Sequence, residues 1–116
     1  MKENIIQEKT YKFAIRMVNL YKYLIDEKKE YVISKQILRA GTSIGANVEE
    51  AIGGQSKNDF ISKMSIAYKE AGETHYWLRI LKDTNFISVV QFQSLEKNIN
   101  EILKIITSIQ KTLKNN

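Results

Sequence analysis

The stretch RAGTSIGANVEEA, residues 39–51, decides the fold. It sets two glycines, two hydroxyls and an asparagine among aliphatics, so it is either a glycine-rich loop that cradles a phosphate or a piece of helix that needs small residues. A phosphate loop of the common kind follows a strand and closes on Gly-Lys-Ser/Thr, or places Gly-x-Gly-x-x-Gly at a strand-to-helix turn. This stretch does neither. Ile33, Ile37, Ala40, Ile44, Val48 and Ala51 instead recur at helical spacing straight through it. Gly41 and Gly45 are four apart, with Ala40 and Ala46 beside them, which on a helix makes a groove where another backbone can come close. Each glycine costs about 1 kcal/mol against alanine in a helix interior, so close packing has to offset it.

Three further segments carry the same periodicity. Leu95, Ile99, Ile102, Ile106, Ile109 and Leu113 form one stripe, opened by a Ser88/Gln91 capping box. Phe60, Met64, Ala67, Ala71, Thr74, Leu78 and Leu81 form another, opened by Ser56/Asp59 and closed by Asn85, a residue that tolerates the left-handed conformation. Ile6, Thr10, Phe13, Met17, Leu20 and Leu24 make the first, which ends in the charged run DEKKE, and Gly53-Gly54 stops the second. The spacing predicts helices over about 4–29, 33–53, 57–84 and 89–114, in one domain covering residues 1–116. Short connections make sequential helices neighbours, so the expected fold is all-α, an antiparallel up-and-down four-helix bundle. Helix one carries a second, interleaved stripe, Tyr11, Ala14, Val18, Tyr21 and Ile25. Its apolar arc is wider than one core uses, which calls for a second partner, and either stripe could face the core.

Composition agrees. The 116 residues suffice for a single core, and with 43% hydrophobic and 27% charged residues the chain is no disordered segment. No proline interrupts a helix, and the absence of cysteine removes disulfides, thiolate metal sites and thiol nucleophiles. No apolar run approaches a membrane span or a signal peptide, so no membrane partner and a cytoplasmic location are expected. A net charge of +5 allows a polyanionic partner but is spread thinly along the chain.

Reactive constellations are missing. A di-iron bundle needs Glu-x-x-His pairs, whereas Glu73 and the single histidine, His75, are two apart and point to different faces. No Gly-x-Ser-x-Gly elbow exists, and the adjacent Glu49 and Glu50 diverge by about 100° on a helix. Neither catalytic residues nor a cofactor, metal or small-molecule substrate is expected. The candidate nucleic-acid contacts are Lys97, Lys104 and Lys111, seven apart and opposite the core stripe of helix four, with Lys114 close by. Lys9, Lys12 and Arg16 add a second set on helix one. The bland alternative is that both sets are ordinary solvated faces. Tyr11 and Tyr21, on the second stripe, suit a subunit contact better than base stacking. Arg39, Ser43, Asn47 and Glu50 share one face of helix two, and Glu70 and Glu73 lie at a partly apolar seam of helix three. A pair from Arg39 to Glu70 or Glu73 would satisfy those carboxylates.

RAGTSIGANVEEA followed by DFISKMSIAYKEAGETHYWLRIL, residues 59–81, resembles the four-helix-bundle proteins encoded in intervening sequences of bacterial large-subunit (23S) ribosomal RNA genes. The likeness runs from helix one to about Ile87. It implies a bundle that assembles as a ring-shaped homopentamer with a central channel. It also implies kinship with the accessory variability protein of diversity-generating retroelements, a basic bundle protein that binds nucleic acid and a reverse transcriptase. No catalytic activity comes with it. The matching positions are Arg39, Ser43, Gly45, Asn47 and Glu50 in helix two, and Ala67, Glu70, Ala71, Glu73, Tyr76 and Leu78 in helix three. With Gly41 they read as a packing and polar signature. The expectation is a non-enzymatic homopentameric module whose basic surface binds RNA or DNA or docks a nucleic-acid-processing partner. The alternatives are a structural or protein-interaction scaffold without nucleic acid, and an enzyme with a site between subunits.

Overall fold

In the computed structural model, which describes residues 2–114, four helices follow one another: α1 (Lys2–Asp26), α2 (Ile33–Ile52), α3 (Lys57–Asp83) and α4 (Val89–Lys114). Helices of this length run about 30–40 Å at 1.5 Å per residue, too far for connections of four to six residues to return along them. Each helix therefore runs opposite to the one before. Side-chain pairs across every seam agree: Gln7–Glu49 and Met17–Gly41 between α1 and α2, Arg39–Glu70 and Glu50–Lys63 between α2 and α3. His75–Glu96 and Ser65–Gln110 join α3 to α4, and Lys9–Glu101 and Arg16–Asn98 join α4 back to α1. Among the described residues the backbones approach one another around the ring α1–α2–α3–α4–α1, in a bundle 47 Å long.

The stripes read from the sequence form the core. Phe13, Met17, Leu24, Ile37, Ile44, Met64, Leu78, Ile99, Ile102 and Ile106 are fully buried, and Thr10 and Thr74 are buried with them. Each threonine satisfies its hydroxyl on the carbonyl four residues back, Ile6 and Glu70, at 2.8 Å. On α1 it is the Ile6–Leu24 stripe that turns inward, while Tyr11 and Val18 of the second stripe stay exposed.

The ends show which local signals govern. Ser88 and Gln91 exchange both bonds of a capping box: the Gln91 amide donates to Ser88 Oγ at 3.0 Å, and the Ser88 amide donates to the Gln91 side chain at 2.7 Å. Ser56 Oγ accepts from the Asp59 amide at 3.0 Å. Asn85 takes φ 67°, and the Phe86 and Asn85 amides turn back onto Leu81 and Lys82, closing α3 at Asp83.

Two expectations need correction. Helix one stops at Asp26 rather than near residue 29, because Lys29 enters the left-handed region at φ 54° and the Glu30 amide folds back to the Leu24 carbonyl. Helix two stops at Ile52, but Gly53 stays right-handed at φ −81°. The chain leaves through a bond from the Gly54 amide to Ala51, not through a left-handed glycine.

Candidate functional site

The opening stretch is helix throughout, and its glycines are places where α1 enters. A Cβ built on Gly41 would lie 2.3 Å from Met17 Cγ, and one on Gly45 would lie 3.2 Å from the backbone oxygen of Thr10. The hydroxyl of Ser43 donates to the Arg39 carbonyl at 2.6 Å, and the Asn47 amide group to the Ser43 carbonyl at 2.8 Å, so both serve their own helix. Glu50 pairs with Lys63 at 2.8 Å on the surface.

Arg39 is the centre of the polar signature. It donates to Glu70 at 2.9 Å and also to Glu73, bridging both carboxylates, of which Glu70 is nearly buried. The Trp77 indole N–H adds a bond to Glu73 at 3.0 Å. That N–H and then Arg39, against the opposing pull of partial burial, hold the Glu73 carboxyl below the usual carboxylate range. Arg39, Glu70, Glu73 and Trp77 are thus tied to one another across the α2–α3 seam, the arrangement of a clasp. His75 Nε2 meets Glu96 at 2.8 Å on a half-exposed boundary. Among the described residues no group of three histidine, cysteine or acidic side chains could hold a metal ion.

The two sets of basic residues differ in their surroundings. On α1, Lys9 pairs with Glu101 at 3.0 Å and Lys12 with Glu8 at 2.7 Å, while Arg16 donates to Asn98 at 2.5 Å and to Ser94 Oγ at 3.0 Å. They line the narrow cleft between α1 and α4 together with Phe13 and Ile102. On α4, Lys97, Lys104, Lys111 and Lys114 are all exposed, and none forms an ion pair with a described residue. Lys97 and Lys104 edge an open depression of about 420 Å³, and Lys111 and Lys114 edge one of about 400 Å³ beside Ile61 and Leu113.

A separate apolar surface runs along α1. Tyr11 is 65% exposed, Ile15 46% and Val18 38%. A shallow hollow between α1 and α2, floored by Ala14, Thr42, Gly45 and Ala46, lies beside Tyr11.

Sequence reading missed Glu30. Its carboxylate accepts the amides of Val32, Ile33 and Ser34 at 2.7–3.2 Å and caps α2, whose first residues have no side-chain cap of the usual kind. Burial opposes its ionisation, yet those three amides hold the carboxyl below its ordinary range. An acidic residue three positions before the first helical one was the available signal.

The model of the 23S rRNA-intervening sequence protein family matches residues 2–108. A solved structure from Bacteroides thetaiotaomicron, described as a protein of unknown function from the S23 ribosomal protein family, is 53% identical to this chain. The match covers 96% of this chain and 99% of that one, with a TM-score of 0.95. No curated protein matches.

Proposed function

Since the chain belongs to the 23S rRNA-intervening sequence protein family, we propose that it acts as a non-enzymatic, cytoplasmic assembly module. In this reading it is a ring-shaped homopentamer whose basic faces bind RNA or DNA. The observation that carries the assembly is the stripe of Tyr11, Ile15 and Val18 on α1. Large side chains in a row on a helix that already buries its opposite face are stabilised by covering them with a partner. A ring repeats every surface around its axis, so the exposed lysines of α4 recur in each subunit and individually weak phosphate contacts add. The clasp around Arg39 and the helical course of residues 39–51 support a structural role for the signature.

Light scattering on the native particle tests the assembly, and electrophoretic shifts with ribosomal RNA fragments and DNA at two salt concentrations test the binding. The expected mass is about 68 kDa, five times 13.5 kDa, with shifts that weaken as salt rises. A pentamer that shifts nothing would favour the scaffold, a role that the internally paired Lys9, Lys12 and Arg16 already suit. A monomer would overturn the assembly.

A further inference from the structure

The outer face of the α3–α4 seam is left unexplained by packing and by the Arg39 clasp. Gly72 lies in mid-α3, exposed, and a Cβ there would meet no atom within 4 Å. A glycine in a helix interior costs about 1 kcal/mol against alanine, and no contact within the subunit offsets it. Tyr68 and Tyr76 stand four residues to either side, 46% and 51% exposed. Trp77 steadies Tyr76 edge-on, with ring centroids 5.2 Å apart and planes at 69°. Two tyrosines thus flank a bare patch of helix, about 12 Å apart along the axis.

Charge on this face is mainly positive, with Asp83 one turn beyond Arg79 and Glu96 on α4 as its acidic members. Lys69 and Arg79 project from the same side of α3 and are exposed. The His75–Glu96 and Ser65–Gln110 contacts set the register of α4, which brings Lys97 level with Tyr76 and Lys104 within about a turn of Tyr68. None of these four cations is in an ion pair with a described residue; Glu101 pairs with Lys9, Glu70 and Glu73 with Arg39, and Asp83 loosely with Lys82 at 3.6 Å, while Glu96 bonds His75. Exposed rings at two levels with cations in excess of carboxylates match a single-stranded polyanion with flat, accessible bases. A duplex offers the same phosphates but hides its base faces.

We propose that this face binds single-stranded RNA or DNA, with bases stacked on Tyr68 and Tyr76 across the Gly72 notch and phosphates held by Arg79, Lys97 and Lys104. This rests on the nucleic-acid reading above and narrows it to one face and one class of strand.

Anisotropy titrations of the full chain with labelled oligo-U, oligo-dT and a duplex of equal length, about 20 nucleotides, test it at low salt. Single strands are expected to bind at least tenfold more tightly than duplex. The Tyr68→Ala/Tyr76→Ala double variant should lose about thirtyfold in single-strand affinity, the low end of two stacking contacts. Its duplex affinity, native mass and unfolding temperature should stay unchanged. Emission from Trp77, the chain's one tryptophan, should change when single strands are added. A preference between oligo-U and oligo-dT would identify the natural strand without altering the site. Equal affinity for duplex and single strand, or a double variant that binds like the original, overturns this inference and leaves the broader reading standing. Binding to none of the three overturns both. A double variant with a lowered native mass also overturns the inference, because the face would then be a contact between copies.

Discussion

The two sides of the bundle are built differently. Around α2 the helices are drawn close: Gly41 and Gly45 admit Met17 and Thr10 of α1, and Arg39 clasps two carboxylates of α3. Around α4 the seams are joined by partly exposed polar pairs, and the outer surface carries cations with no ion pair among the described residues, beside a glycine whose outer side is open. Glycines and charged residues occur on both sides, yet on one they are consumed by the fold and on the other they are left over. Leftover groups of that kind are where a partner belongs.

Substitutions can break this contrast, and the largest effect belongs to the tight side. Gly41→Leu forces a side chain into space held by Met17 and should cost about 3 kcal/mol in denaturant unfolding, the upper range for overpacking. A variant of unchanged stability would mean that α1 does not seat there. Arg39→Met strands the nearly buried Glu70 and should cost about 2 kcal/mol, discounted because Arg39 itself is half-exposed. Equal stability of that variant would make the clasp ornamental.

The cap at Glu30 gives a smaller effect with a pH signature. Its folded carboxyl titrates below the unfolded one, so its stabilisation is complete above the unfolded value and is lost as pH falls through the folded one. Glu30→Gln should be about 1 kcal/mol less stable than the original chain at neutral pH, with the gap closing below about pH 4. A gap that does not change with pH would remove the cap from the account of α2. On the open side the sign reverses: Gly72→Ala should raise stability by up to about 1 kcal/mol, since helix propensity improves and no atom stands in the way. Calorimetry that finds it destabilised would mean that the notch is occupied within the subunit.

Much of this was legible beforehand. Spacing alone located the four core stripes, and the Ser88/Gln91 box and Asn85 marked their ends, because these signals act within one turn of helix. Which stripe of α1 turns inward was not legible, since both are apolar and only the glycine grooves of α2 break the tie. The fate of Lys9, Lys12 and Arg16 was half legible. Glu8 stands four residues from Lys12, but Glu101, Asn98 and Ser94 reach Lys9 and Arg16 only through the antiparallel register of α4. Tyr68, Gly72 and Tyr76 stand at four-residue spacing, yet only Tyr76 drew a reading, as part of the signature. The emptiness above Gly72 is a property of the packed bundle and of no single helix.

The most direct measurement is the salt dependence of single-strand affinity in two double variants, Lys97→Gln/Lys104→Gln on the open side and Lys9→Gln/Lys12→Gln on the paired one. Each phosphate neutralised contributes about −0.7 to the slope of log affinity against log salt for a single strand. The α4 pair should flatten that slope by about 1.4 and the α1 pair should leave it unchanged. Equal flattening by both, or a slope near zero in the original chain, would contradict the division between a side that holds the fold and a side that meets nucleic acid.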